Sequence, residues 1–360
     1  MSPAPLRPAT AEDAVLGVAP AAVAEPATVE EAVEVVGEAA RGRKSLLFVG
    51  GGTDLDLGAR PDRLDVLLRT GRLSRIVEHA PSDQIVVVEA GVTLAALGKA
   101  LASAGQRLAL DPPLPERATV GGVVAANAFG PRRARYGTAR DLIIGISIVR
   151  ADGVRANGGG KVVKNVAGFD MPKLMVGSLG TMGLIATATF RLHPIPEDTA
   201  TLRSQGLSAA DVVTLVAHIR QAQLEPDSVA AFRTGSGRFD VAVRFEGFSR
   251  GVAGQRERLA ALAAKELRVS CDALDRAGAE ALWARHDEAR RRGTFRAKVA
   301  ALPGRFDDVE RRVLAPVSAA LDTPECLWYP TLGLGFLGGD AVSASAVGSA
   351  VSSEIGRAVV

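Results

Sequence analysis

The chain has 360 residues, 47% of them hydrophobic, and its 43 basic residues against 40 acidic leave a net charge of +3. That length exceeds the usual size of one hydrophobic core and favours two domains, while the near balance of charge speaks against a general nucleic-acid or membrane-surface role. Cys271 and Cys326 stand far apart and in no CxxC pattern, which excludes an iron-sulfur cluster or a thiolate zinc site within the chain.

Met1 to Pro26 is rich in Ala and Pro but lacks a basic start followed by a continuous apolar stretch, so neither export nor a membrane anchor is expected, and a cytoplasmic location follows. Thr28 and Glu31 form a capping-box pattern, and Val29, Ala32, Val33 and Val36 recur at the spacing of one helix face, which predicts a helix to about Ala40. Ser45 to Val49 reads as a buried strand that delivers the chain into three glycines. Ile85 to Val88 reads as another strand, and Leu94 to Ala104 as a helix closed by Gly105. Ile143 to Arg150, the Asp152-Gly153 turn and Val154 to Asn157 form a hairpin pattern, and Leu184 to His193 a final strand. Pro194 and Pro196 mark a domain boundary.

Beyond Glu197 the best helix candidates are Ala209 to Gln223, Gly254 to Leu267 and Asp272 to Arg292, with strands over Ser228 to Arg233 and Phe239 to Phe245. The mixture suggests a smaller α+β second domain. The tail from Gly333 to Val360 fits either a hairpin with a terminal helix or a partly mobile segment.

Three loops carry the functional signal. In Gly50-Gly51-Gly52-Thr53-Asp54 the absence of side chains at three positions lets backbone N–H groups approach an anion such as a diphosphate. The run matches neither a Rossmann turn nor a P-loop, and by itself reads equally as a tight turn. A second segment runs from Asp111-Pro112-Pro113 through Thr119-Val120-Gly121-Gly122 to Ala125-Ala126-Asn127, then Tyr136-Gly137 and Asp141. Its small residues permit close approach along an extended ligand, while Thr119 and Asn127 supply compact hydrogen-bonding groups; a helix start packed tightly on a sheet is the other reading. The third is Lys161 to Asp170, continuing through Gly177-Ser178-Leu179-Gly180-Thr181-Met182-Gly183-Leu184-Ile185, where backbone from Gly183 to Ile185 can meet a flat heterocycle edge on.

Taken in order, these motifs resemble the FAD-binding domain of the vanillyl-alcohol oxidase (PCMH-type) flavoprotein superfamily, most closely the FAD-binding E subunits of bacterial glycolate oxidases. The resemblance spans Pro26 to Pro196, roughly half the chain. It implies an α+β chain with an extension over 1–25, a two-lobed PCMH-type FAD-binding domain over 26–196 and a smaller, divergent α+β cap domain over 197–360. It also implies FAD contacts at Gly50, Gly51, Gly52, Thr53 and Asp54; at Pro112, Thr119, Val120, Gly121, Gly122, Ala125 and Asn127; and at Gly177, Gly180, Thr181, Gly183 and Ile185. The Lys164-Asn165-Val166-Ala167-Gly168-Phe169-Asp170 stretch resembles the family's Lys-Asn-Val-Ala-Gly-Tyr-Asp, with Phe169 keeping ring packing but losing the hydroxyl. Members that attach flavin covalently often use a histidine beside the first glycine loop. None lies there, so non-covalent FAD is implied.

Related two-hydroxy-acid dehydrogenases carry a His-Gly-Asp-Gly-Asn-Leu-His motif that binds metal. Here His79, His193, His218 and His286 cannot reproduce it, so no metal ligands and no catalytic residue are assigned. His286 fits a general base or, more simply, a polar residue on an exposed helix. Arg285, Arg290, Arg291 and Arg292 fit carboxylate recognition, docking of an acidic partner, or a solvated helix face. His193 reads as a strand-end residue, and Lys161 and Lys164 as charges that offset the flavin phosphates or cap a turn. The resemblance implies an oxidoreductase complex acting on 2-hydroxy acids, with a homologous flavin subunit and an iron-sulfur subunit as partners, and leaves peripheral attachment to the inner membrane open. The alternatives are a stand-alone FAD-dependent oxidoreductase of a small hydroxy acid or alcohol, the electron-relay FAD subunit of a molybdenum hydroxylase, and a non-catalytic FAD-binding or assembly subunit. The Lys-Asn-Val-Ala-Gly-Phe-Asp stretch speaks against the molybdenum hydroxylase.

Overall fold

Short apolar runs bounded by glycine turns become strands throughout this chain. In the computed structural model, which describes residues 5–161 and 168–341, they divide between two compact units: Met1–Gly130 with Tyr136–Ile195, and Pro131–Arg135 with Pro196–Val360.

The first unit holds two sheets. In the smaller, Leu6–Pro8, Ala22–Ala24, Val66–Arg69 and Leu46–Val49 lie side by side in that order, and the last three are parallel. The larger is antiparallel, in the order Ile76–Ala80, Ile85–Glu89, Leu184–Arg191, Ile143–Val149 and Arg155–Gly159. The expected hairpin is present: Arg155 pairs with Val149, and Gly153 takes a φ of 79° in the turn. Ala24 and Leu68 of one sheet pack with Val149, Leu184 and Ala186 of the other, under the helix Val29–Arg41. That helix starts where the pattern places it, with Thr28 Oγ1 accepting from Glu31 N at 3.1 Å. The return bond of the box goes one residue further back, from Ala27 N to the Glu31 carboxylate at 2.7 Å.

The second unit is built on a seven-stranded antiparallel sheet, in the order Asp272–Ala273, Asp198–Leu207, Phe239–Gly247, Ser228–Arg233, Leu321–Tyr329, Leu334–Ala341, Phe295–Ala300. Because side chains alternate across a strand, Leu202, Val229, Val243, Phe245 and Trp328 fall on one face, in an apolar core shared with the helices Ala209–Gln221 and Ser249–Leu262. Thr201, Arg244, Ser228, Phe232 and Tyr329 fall on the other, beside the helix Arg276–Ala289.

Several expectations shift. Asp272–Ala273 is a strand, and the third helix starts only at Arg276, after Asp275 caps it by accepting from Gly278 N at 2.8 Å. The second helix begins at Ser249 rather than Gly254 and closes in a wider turn over Ala263–Leu267. Leu334–Ala341 forms a hairpin with Leu321–Tyr329, while the terminal helix considered for the tail lies outside the described residues.

Candidate cofactor site

A cleft opens in the first unit where its glycine loops converge. Strand Leu46–Val49 runs directly into Gly50, Gly51, Gly52, Thr53 and Asp54, and all five line the cleft. The physical role of these glycines differs from the expected one at two positions. A Cβ on Gly51 would overlap the Arg117 carbonyl, and one on Gly50 would overlap Thr119 Oγ1, so both are small because the second loop packs against them. Gly52 takes a φ of 67°, which a side chain disfavours. The consequence for ligands is in the backbone: among the described residues, no N–H group from Gly50 to Asp54 donates within the chain. Five unspent donors in one turn form an anion-binding nest.

The second loop supplies the opposite wall. Thr119 caps the helix Val120–Ala126, and Thr119, Gly121, Gly122 and Ala125 line the cleft. Here the donors are already used. Val120 N donates to the Val92 carbonyl and Gly121 N to the Ala90 carbonyl, each at 2.8 Å, and Gly122 N points at Thr119 Oγ1 at a long 3.4 Å. This wall therefore offers closeness rather than hydrogen bonds: a Cβ on Gly121 would lie 2.6 Å from that of Ala90.

The third loop contributes Gly180, Gly183 and Ile185. Gly177 N donates to the Val124 carbonyl at 3.0 Å and Leu179 N to that of Ala125 at 2.9 Å, which lays residues 177–179 against the end of the Val120–Ala126 helix. Five of the expected contact residues stand outside the lining. Pro112 is buried, Val120 is in the apolar core, Thr181 is exposed and donates to the Ser178 carbonyl at 2.7 Å, and Asn127 is half-buried and Gly177 exposed. Sequence reasoning passed over Phe48, Thr70 and Ala90; Val49, Leu55, Ala126, Leu179 and Leu184, neighbours of the expected contacts, complete the lining. Ala90 had a signal in the following Gly91, whose Cβ would overlap the Thr70 carbonyl.

The described groups fit FAD. The nest suits a diphosphate, and the small walls suit a thin, extended molecule. None of the four histidines lines the cleft.

Other expected residues have different employment. Lys161 forms an ion pair with Glu78 rather than facing the nest, and Lys164 lies outside the described residues, as does most of the stretch ending at Phe169. Phe169 is 92% exposed, so the expected ring packing is not found among the described residues. His193 sits edge-on to Tyr136 with ring centroids 4.9 Å apart, and burial, then Arg191 and Arg107, hold its imidazolium below the usual range.

His286 is not on an exposed helix face. It is buried, with Nε2 at 2.7 Å from the Tyr329 hydroxyl and Nδ1 at 2.9 Å from Asp287 Oδ1, and burial pushes its pKa down. Of the nearby arginines, Arg285, Arg291 and Arg292 are exposed, as a solvated face has them, with Arg285 over Phe232 and Arg292 paired with Glu325, while half-buried Arg290 lies over Phe336. The cationic heads of Arg285 and Arg290 cover aromatic rings, which a sequence pattern does not reveal.

Residues 20–157 match a family model described as FAD binding domain. The chain is 34% identical to glycolate oxidase subunit GlcE of Escherichia coli over 233 residues, 63% of each protein. It is 35% identical to D-lactate dehydrogenase of Archaeoglobus fulgidus over 205 residues, 56% of this chain and 45% of that one. The chain thus spans between about half and two thirds of these relatives. A crystal structure of p-cresol methylhydroxylase matches with a TM-score of 0.73 at 15% identity, covering 93% of this chain and 78% of that one, which establishes the shared α+β fold. Among the described residues no helix is long and apolar enough to cross a membrane.

Proposed function

We propose, from the premise that residues 20–157 are a PCMH-type FAD binding domain, that this chain is the FAD-carrying subunit of an oxidoreductase complex that oxidises 2-hydroxy acids. The observation that carries the reading is the turn of unspent N–H donors at Gly50 to Asp54, set in a cleft whose opposite wall is shaved to glycine and alanine. Bound there, FAD supplies a two-electron acceptor. The chain's own work is to bind and orient it: the nest from Gly50 to Asp54 holds the diphosphate, Thr119, Gly121, Gly122 and Ala125 allow close approach, and Gly180, Gly183 and Ile185 border the ring system. FAD is held without a covalent bond, in keeping with a cleft that no histidine lines. We take residues 26–196 as the flavin domain and 197–360 as the second domain.

The names of the relatives support the substrate class and the subunit role: one is a glycolate oxidase subunit, and another is a D-lactate dehydrogenase. A homologous flavin subunit would carry out most of the substrate oxidation and an iron-sulfur subunit would take the electrons. The complex is placed in the cytoplasm, with any membrane attachment made through partners. In the second unit His286 is buried, and the half-exposed His218 has its Nε2 3.9 Å from the Glu266 carboxylate.

Two measurements test the reading. The purified chain should be yellow, with FAD released by acid or heat. Under anaerobic conditions its flavin should stay oxidised on addition of glycolate or D-lactate, and bleach only when the co-purifying subunits are restored. Bleaching of the isolated chain would turn the assignment to a stand-alone oxidoreductase, and a colourless protein that takes up no added FAD would end it.

A further inference from the structure

Residues 5–18 precede the range 20–157 that matches the family model, and none of them lines the cleft. They are nevertheless fastened to the first unit at two points. The first is ionic. Leu6–Pro8 lies antiparallel to Ala22–Ala24 at the edge of the smaller sheet, and the chain then turns to bury Asp13, which is 1% exposed. Asp13 Oδ2 accepts from Arg7 Nη1 at 2.8 Å, from Thr10 N at 2.9 Å and from the Thr10 hydroxyl at 3.0 Å. Its Oδ1 accepts from Arg7 Nη2 at 3.1 Å and from Arg69 Nε at 2.9 Å. One carboxylate thus ties the segment's own turn to Arg69, the last residue of strand Val66–Arg69. The next residue, Thr70, lines the cleft and donates its N–H to the Val49 carbonyl at 2.9 Å. The second fastening is apolar: buried Val15 shares a cluster with Val23, Val49, Leu64 and Leu67, and Ala9, Val18 and Leu55 pack against it. Val49 and Leu55 bracket the nest, and both line the cleft.

We propose that residues 5–18 are a strap that holds the anion-binding nest in shape, with Asp13 as the positioning residue that fastens it. The need for a strap comes from the nest itself. A turn whose N–H groups from Gly50 to Asp54 are all unspent among the described residues has no such bonds to fix its own conformation, so its order must come from packing around it. Arg117 and Thr119 supply that packing against Gly51 and Gly50; the strap supplies it at both ends of the turn, through Val49 and Leu55. Donors already aligned bind a diphosphate without the entropy cost of ordering the turn on binding. The proposal rests on the FAD reading above and extends it to residues outside the matched range.

The test is made on the full-length chain after removal of flavin, by two measurements. The first is amide hydrogen exchange with and without FAD. Asp13 N–H donates to the Thr10 carbonyl at 3.1 Å, and Val15 and Val18 N–H donate to each other's carbonyls at 2.9 Å, so these three amides report opening of the strap. Edge segments exchange by local opening, and FAD therefore slows these amides only where strap and nest open together; a slowing of about 5- to 20-fold is expected. The second is titration calorimetry with FAD and ADP. Because coupling is reciprocal, Asp13→Asn should bind FAD about 5- to 20-fold more weakly, and the loss should carry into ADP, which presents the diphosphate without the flavin. A merely structural role would lower the unfolding temperature of the variant and leave both readouts unmoved. Unchanged exchange at the three amides, or FAD binding by Asp13→Asn within twofold of the unaltered chain, overturns the proposal and leaves the FAD reading intact. Should Asp13→Asn fail to fold, the exchange of the unaltered chain decides alone. An unaltered chain that takes up no FAD overturns that reading itself.

Discussion

The two units handle polar groups in opposite ways. In the first, the backbone N–H groups from Gly50 to Asp54 at the cleft are left unspent among the described residues. In the second, polar side chains on one sheet face are spent on each other. Asp227, Arg244 and Ser228 form a buried cluster, with Arg244 Nε 2.9 Å from Asp227 Oδ2. Arg132 closes on buried Glu246 at 2.7 Å, the Trp283 ring lies under the Arg244 guanidinium, and His286 bonds Tyr329. Reserved backbone donors make a binding site; side chains bonded to one another make a scaffold, here one that still leaves Asp227 Oδ1 and Ser204 Oγ buried without a partner.

The largest expected effect that would break this contrast is at Gly51. Gly51→Ala drives a methyl into the Arg117 carbonyl, and overpacking of this kind should cost about 3 kcal/mol of stability and abolish flavin retention. The flavin-to-protein ratio and urea unfolding check both parts, and a variant that keeps its flavin would show the loops to be freely deformable.

Tyr329→Phe acts on the other side of the contrast. It leaves His286 Nε2 buried without its partner, at an expected cost of about 2 kcal/mol, while FAD affinity stays unchanged. A shift in FAD affinity would mean that the second unit's network does more than support its own sheet.

The smallest expected effect is on pH dependence. His286 is held neutral by burial, which is the first cause of its lowered pKa, so the unfolded chain binds a proton that the folded chain refuses. Stability should therefore be fully present above the ordinary imidazole value of 6.5 and fall as pH drops from there towards the depressed value in the fold, by at most about 1.4 kcal/mol per pH unit. Asp287 opposes the shift, whereas Arg290 and Arg244 reinforce it. Urea unfolding from pH 7.5 to 5.5 measures the slope, and His286→Gln should flatten it.

The first unit's architecture was legible because its signals are local. Capping residues, apolar runs of strand length and glycines before strands state their conformations within a few residues, which is why Thr28, the 143–157 hairpin and the Gly50–Asp54 loop lie where the pattern places them. In the second unit the strands Asp198–Leu207, Phe295–Ala300 and Leu321–Tyr329 were not legible, because threonine, arginine, aspartate and lysine interrupt their apolar pattern. Those residues become intelligible only on a sheet with one face under helices and the other carrying a polar network.

By itself the sequence determined where backbone must pass close to backbone, since only glycine permits it, and from that a cofactor loop could be read. Which glycines are small for the ligand and which for a neighbouring loop was decided by tertiary structure. At Gly50 and Gly51 the missing side chains make room for Thr119 and Arg117. Burial was likewise a tertiary decision: His286 and Tyr329 are far apart in sequence, and only the pairing of strand Leu321–Tyr329 under the Arg276–Ala289 helix turns an apparently exposed histidine into a neutral, hydrogen-bonded part of the interior.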